Sequence, residues 1–386
     1  MERIKFSAVI FVSLVLIFTI AFGCKTAPPK ATPVAVMDNP GHHFTTGLKK
    51  IDEGKLDDAM FEFKRANSLE PLFPLSFTGM GIVDAKRGNY AKGIEEAEKG
   101  LELAVEKGEE FDARVGLIRV YTEAGGKEWI EKVEEQFEKA DKLSTSGESA
   151  YFFMGNAYRK ALEFKKAEKM YRKVLDINKS YVQEADENLK VVQKIVRAAP
   201  GTEFGKKIAL VPAITRADIT ALFVSELGLE KLLSRKEKNE KEPAFKTPQE
   251  FSQKAEEVKL PEDVVNHPLK SEIEVALKYG ISGLEVSPQD RRFNPDKLIT
   301  KADYSIMLED LICRIEGNND LKKKFLDSSS PYNDLRSDNY AFNSVMVCIS
   351  KNLLDPEGDS EFGVYKPVSG ADALLVIRKL KEELKL

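Results

Sequence analysis

Histidine, cysteine and tryptophan are scarce in this chain, with three, three and one among 386 residues. His42 and His43 are neighbours, which points their rings to different sides of a helix, and His267 is far away. No zinc-ligand spacing results. A G-x-S-x-G turn, a P-loop, a GxGxxG stretch and paired histidines are also missing. Without a nucleophile, a base and oxyanion donors in a recognisable pattern, the sequence reads as no enzyme and implies no cofactor. The acidic loop "DPEGDSEFG", Asp355 to Gly363, lacks EF-hand spacing and reads as a solvated loop. One-sided charge is absent too. The 59 Lys and Arg are interspersed with 63 Asp and Glu for a net −4, so no basic domain exists to hold nucleic acid.

Long apolar runs are lacking except at the N-terminus. A basic start, Met1 to Lys5, precedes Phe6 to Phe22, which carries no charge, proline or glycine. That run is slightly long for a signal-peptide core and slightly short for a membrane span, so its length does not decide. Its end is more informative. Ala21-Phe22-Gly23-Cys24 resembles the lipobox of bacterial lipoproteins, with Phe22 bulkier than usual and Ala21 where Leu is commonest. The resemblance implies a signal peptide over residues 1–23, cleaved before a lipidated Cys24. An uncleaved anchor and an ordinary signal peptide are the other readings of this segment. Residues 24–40 then read as a tether, where Pro28, Pro29, Pro33 and Pro40 favour an extended spacer. At about 3 Å per residue it would hold a domain roughly 40–50 Å from the bilayer.

The length suits two folded units, and 42% hydrophobic with 32% charged residues suits helical domains. Outside the cytoplasm Cys313 and Cys348 would either pair or sit as two buried thiols; both lie in apolar helical contexts, "LEDLICRI" and "SVMVCISK".

Residues 41–198 repeat internally. Gly47 and Gly81, Gly54 and Gly88, and Ala59 and Gly93 are each 34 residues apart. In the first repeat Gly47, Ala59, Phe63, Ala66 and Pro71 supply small, small, aromatic, small and Pro positions. A later repeat has Tyr151, Gly155, Tyr158, Ala167 and Tyr171, and a looser one between them has Gly116, Tyr121 and Phe137 with a turn at Gly125-Gly126. This 34-residue pattern resembles the tetratricopeptide (TPR) repeat. The resemblance implies paired helices stacked into a solenoid, since one pair cannot bury its apolar face alone. "SYVQEADENLKVVQKIVRAAP" reads as a capping helix with a more polar outer face.

Residues 199–386 repeat a different unit. "ITRAD", "ITKAD" and "VSGAD" each open an apolar run, with Thr215, Thr300 and Ser369 as N-caps and Asp218, Asp303 and Asp372 three residues on. Asp263-Val264 and Asp334-Leu335 each read as leading a helix, the first ending at Tyr279-Gly280 and the second running through Val345 to Leu353. Phe293 and Phe362 each lie ten residues before the capping Asp. This helix–loop–helix pattern resembles the S-layer homology (SLH) motif, with most of the first helix missing from the first copy. A charged linker, "SRKEKNEKEPAFKTP", separates the first copy from the second.

The expected fold class is therefore all-α, a TPR solenoid followed by an SLH-like bundle of three helix-loop-helix motifs. The SLH resemblance implies polysaccharide binding in grooves between motifs, through the basic residue of the ITRAE pattern and an aromatic following a histidine. Arg216 and Lys301 match the basic place and Gly370 does not. His267 is followed by Pro268, and Asn339 by Tyr340. The candidate polymer contacts are thus Arg216, Lys301, His267 and Tyr340. The expected partners are a protein or peptide on the TPR groove, cell-wall polysaccharide and a membrane held through the N-terminal lipid. The expected location is the cell envelope, facing the periplasm or the cell surface. A TPR assembly factor or pilotin-like lipoprotein of a secretion or pilus machine, with a purely structural SLH-like domain, is the alternative.

Overall fold

The computed structural model describes residues 30–143, 147–240 and 259–385. Cys24, the signal segment 1–23 and most of the charged linker lie outside the described residues. Among those described, every regular element is helical, so the all-α class holds. Two compact units divide within one helix, the first running to Ala157 and the second starting at Tyr158.

The first unit is a run of helical hairpins: α1 (Pro40–Asp52), α2 (Leu56–Leu69), α3 (Pro74–Lys86), α4 (Tyr90–Leu103), α5 (Lys107–Ala124), α6 (Trp129–Leu143) and the first part of α7 (Glu148–Lys160). Each of the first five helices packs on its successor, and α3 packs on both α1 and α5. Pro40 and Pro74 open α1 and α3, where a missing N–H costs nothing. Asn39 caps α1 by accepting the His42 N–H at 2.9 Å. The tight turns rest on Gly54 and Gly88, both at positive φ, which glycine adopts without strain. Leu162 holds the same left-handed backbone at the corresponding turn after α7.

The small residues of the repeat are contact points. A Cβ on Gly81 would stand 2.6 Å from the Gly93 carbonyl oxygen, and one on Gly93 would stand 2.7 Å from the Gly81 oxygen. The backbones of α3 and α4 therefore touch there. Phe63, fully buried, fills the space that Gly47 and Gly79 leave open. Ala59 and Ala97 are fully buried as well.

The described part of the Pro-rich segment differs from a free spacer. The Ala31 N–H donates to the Ser68 carbonyl at 2.7 Å, and Arg65 Nε donates to Asp38 Oδ1 at 2.9 Å. Asp38 also accepts the Val34 N–H at 2.7 Å, and the His43 ring lies between Asp38 (2.9 Å) and Glu62 (2.5 Å). Backbone and ion-pair partners on α2 thus draw residues 31–38 along that helix.

The second unit begins with the end of α7 and α8 (Phe164–Ile177), followed by α9 (Val182–Ala198) and α10 (Glu203–Ile208). Then come α11 (Arg216–Leu222) with a π-helical turn over Phe223–Leu227, α12 (Leu229–Glu240), α13 (Lys270–Tyr279), α14 (Lys301–Glu316), α15 (Phe342–Ser350) and α16 (Gly370–Glu383). Helix α9 packs on α8 and α16, with Lys194 Nζ 2.8 Å from Asp372 Oδ1, and turns Gln183, Glu184, Glu187 and Lys190 to solvent. One expectation needs correction here: neither Asp263 nor Asp334 leads a helix, since α13 starts at Lys270 and α15 at Phe342. Both carboxylates are bound to loop backbone instead. The C-cap at Gly280 is left-handed as expected.

Gly81→Ala should lower the melting temperature, because its Cβ meets backbone and overpacking costs about 1–3 kcal/mol. Gly108→Ala, at a helical site where a Cβ meets nothing within 4 Å, is the matched control and should keep or slightly raise the melting temperature. Equal melting of the two variants by circular dichroism would contradict the contact.

Candidate functional site

Three helix starts organise the second unit. Thr215 and Thr300 accept the N–H groups of Asp218 and Asp303, whose carboxylates in turn accept the N–H of each threonine, at 2.9 and 3.0 Å. Ser369 accepts the Asp372 N–H at 3.1 Å. The residue before each cap is β-branched and buried: Ile214, Ile299 and Val368. β-branching favours extended backbone, which lets these residues pair with one another. The Ile214 N–H donates to the Val368 carbonyl at 2.9 Å, Val368 to Ile299 at 3.1 Å, and Ile299 to Ile214 at 3.1 Å. The three bonds close a ring.

Around the ring each helix start draws its missing acceptors from the next repeat. Arg216 N–H donates to the Lys297 carbonyl at 2.9 Å and Lys301 N–H to Lys366 at 3.0 Å. Ala217 and Ala302 likewise donate to Pro295 and Val364, both at 3.0 Å. These bonds satisfy first-turn N–H groups that a helix leaves without internal partners. The third start follows with a one-residue offset, Gly370 donating to Val211 at 2.9 Å.

The basic residues follow the same cycle. Arg216 Nε, Nη1 and Nη2 donate to the carbonyls of Phe293 (2.9 Å), Gly283 (2.5 Å) and Glu285 (3.0 Å), and the guanidinium lies 4.7 Å from the Phe293 ring centre. Lys301 Nζ donates to the carbonyls of Asp355 and Phe362, both at 3.1 Å, and to Glu357 at 2.6 Å, beside the Phe362 ring. A cation beside a helix N-terminus is unfavourable by the dipole alone. Here loop carbonyls and a carboxylate offset that cost. The ammonium groups of Lys301 and Lys366 hold the Glu357 carboxyl below the usual range. At the third start the Ile208 carbonyl occupies the space a Cβ of Gly370 would need, so no side chain fits.

Asp263 and Asp334 serve these loops from below. Asp263 accepts the N–H groups of Phe293 (3.2 Å) and Asn294 (2.7 Å), while Asp334 accepts those of Phe362 (2.9 Å), Gly363 (2.7 Å) and Val364 (3.0 Å). Burial pushes the Asp334 carboxyl up, and the three N–H donors more than reverse this, leaving it below its ordinary value of 3.8.

The two remaining candidates lie at the rim. His267 Nδ1 accepts the Leu269 N–H at 3.1 Å, and its Nε2 lies 3.8 Å from Asp296. Tyr340 is 67% exposed, and Tyr365 is 66% exposed, with Asn339 Nδ2 donating to the Tyr365 hydroxyl at 3.3 Å. Tyr365 stands at the repeat position of Asp296, so no shared residue type marks it in the sequence. Cys24 lies outside the described residues. Cys313 and Cys348 are buried free thiols, and burial raises both pKa values. Among the described residues no group of His, Cys, Asp and Glu could hold a metal ion. In the acidic loop at Asp355, the ammonium groups of Lys301 and Lys366 neutralise Glu357.

The first unit carries a cleft of about 320 Å³ lined by Ile51, Lys86, Arg119, Phe152, Phe153 and Asn156. Buried Arg119 lies over the Phe153 ring at 4.4 Å. No helix among the described residues is long and apolar enough to cross a membrane. No protein-family model matches the chain, and no curated protein matches it.

Arg216→Ala should lower the melting temperature of the full chain, and Arg216→Lys should recover only part of it, because one ammonium nitrogen cannot stand at the three separate positions from which Nε, Nη1 and Nη2 reach the Phe293, Gly283 and Glu285 carbonyls. Recovery to wild-type melting by lysine would show that charge alone matters. Asp334→Asn should destabilise by about 1.5–3 kcal/mol at pH 7, as expected for hydrogen bonds to a charged group. A depressed carboxyl contributes stability above its unfolded pKa and loses it as pH falls through the folded value. The difference between Asp334→Asn and wild type should therefore shrink below pH 3.8 in denaturant titrations; a constant difference would refute the assignment.

Proposed function

We propose that the chain is a lipid-anchored cell-envelope adaptor. Its TPR-like array binds a protein partner, its SLH-like bundle binds cell-wall or surface polymer, and Cys24 carries the lipid. The observation that carries the polymer assignment is the exposed pair Tyr340 and Tyr365, tied together through Asn339 at the rim of the third repeat. An aromatic face offers apolar contact and a hydroxyl to a sugar ring. The closed ring of Ile214, Ile299 and Val368 supports the SLH resemblance, because it relates the three repeats as a pseudo-threefold bundle requires. The cleft beside Arg119 and Phe153 supports peptide binding by the array.

A second reading has its own support. Arg216 and Lys301, the basic residues the SLH resemblance assigns to polymer, spend their donors on loop carbonyls and Glu357. That favours a bundle retained as scaffold, in an assembly factor of a secretion or pilus machine. The tyrosines discriminate between the two. Tyr340→Ala with Tyr365→Ala should weaken retention of the full chain on purified cell-wall material by roughly tenfold, the equivalent of 1.4 kcal/mol, with unchanged melting. Equal retention of variant and wild type would leave the scaffold role.

A further inference from the structure

The edge of the first unit formed by residues 34–37 and the exposed face of α2 is unusually apolar. Val34, Val36 and Met37 are 86%, 95% and 58% exposed, and Phe61 is 68% exposed. Single exposed hydrophobic residues need no explanation, but a gathered patch does. These side chains are gathered by bonds already described. Phe61, Arg65 and Ser68 share one face of α2, at helical spacings of four and three. Arg65 binds Asp38 and Ser68 binds Ala31, so residues 31–38 lie along the face that Phe61 continues. On α2, exposed Lys64 and Asp57 are three and four residues from Phe61.

We propose that this patch rests on the lipid bilayer, so that the first unit lies against the membrane surface rather than standing off on a spacer. The proposal depends on the lipid-anchored reading of Cys24. Seven residues lead from Cys24 to Ala31, and a chain of that length spans at most about 25 Å. Because Ala31 is bonded to α2, an acyl group on Cys24 brings the Phe61 face within reach of the headgroups. Apolar side chains at such an edge enter the headgroup–acyl boundary. A bilayer covers all four side chains without requiring a shaped partner.

The test uses the full chain, isolated from membranes with its anchor and reconstituted in phosphatidylethanolamine–phosphatidylglycerol vesicles brominated near the headgroup end of the acyl chains. In a Trp129→Phe background, Phe61→Trp should lose roughly half its emission to the bromolipid, as expected for a side chain at the boundary. Adding Val34→Ser and Val36→Ser should reduce that quenching roughly twofold, while Tyr90→Trp, on the next hairpin, should not be quenched. Co-sedimentation with vesicles reports the anchor separately. Vesicle-bound protein in which Phe61→Trp is quenched no more than Tyr90→Trp overturns the lipid assignment, keeps the anchor and leaves the patch to a protein partner. Failure to co-sediment overturns the anchor and this proposal with it.

Discussion

Three backbone hydrogen bonds closed into a ring by Ile214, Ile299 and Val368 hold the C-terminal bundle together. Each N–H and carbonyl in the ring is buried, and a buried backbone group left unmatched would cost about 1–3 kcal/mol. The ring satisfies them only when all three repeats are present and in register. From it follow the positions of the three capped helix starts. Their first-turn N–H groups then meet the carbonyls of the neighbouring loop, and their side chains at the next position reach that same loop. The cycle explains the residues at this position. Arg216 and Lys301 have loop carbonyls to bind, and at Gly370 the Ile208 carbonyl stands where a Cβ would have to be.

The loops lack regular structure and are held from two directions. Asp263 and Asp334 bind their backbone N–H groups, while Arg216 and Lys301 bind their carbonyls. Donors and acceptors of an irregular segment are thereby matched by side chains of opposite charge, as buried backbone requires. Beside these loops Tyr340 and Tyr365 remain exposed.

In the first unit the constraint is distance between backbones. Gly81 and Gly93 allow α3 and α4 to touch, and Gly47 and Gly79 open the space that Phe63 fills. Close packing of this kind rewards small residues at a regular period, which is why the period is visible in the chain. Polar residues have a different part here. Asp38, His43, Glu62 and Arg65 secure the segment before α1 to the first hairpin, so the packed part of this unit does not begin at its first helix.

Much of the helical content and many helix boundaries were legible in the sequence. Glycines 34 residues apart, and Thr or Ser three residues before Asp at the capped starts, are local signals set by turn geometry and helix capping, which neighbouring residues decide. The free spacer and the helices led by Asp263 and Asp334 were misread, because each depends on a partner distant in sequence: Ser68 for Ala31, Phe293 and Phe362 for the two aspartates. The candidate site divides the same way. Arg216 and Lys301 stood out by their repeated place, yet only the tertiary structure placed their donors on loop carbonyls and brought Tyr365 beside Asn339. Composition and local spacing determine where helices begin and which residues are small; what a charged or aromatic side chain touches is decided by chain segments that meet only on folding.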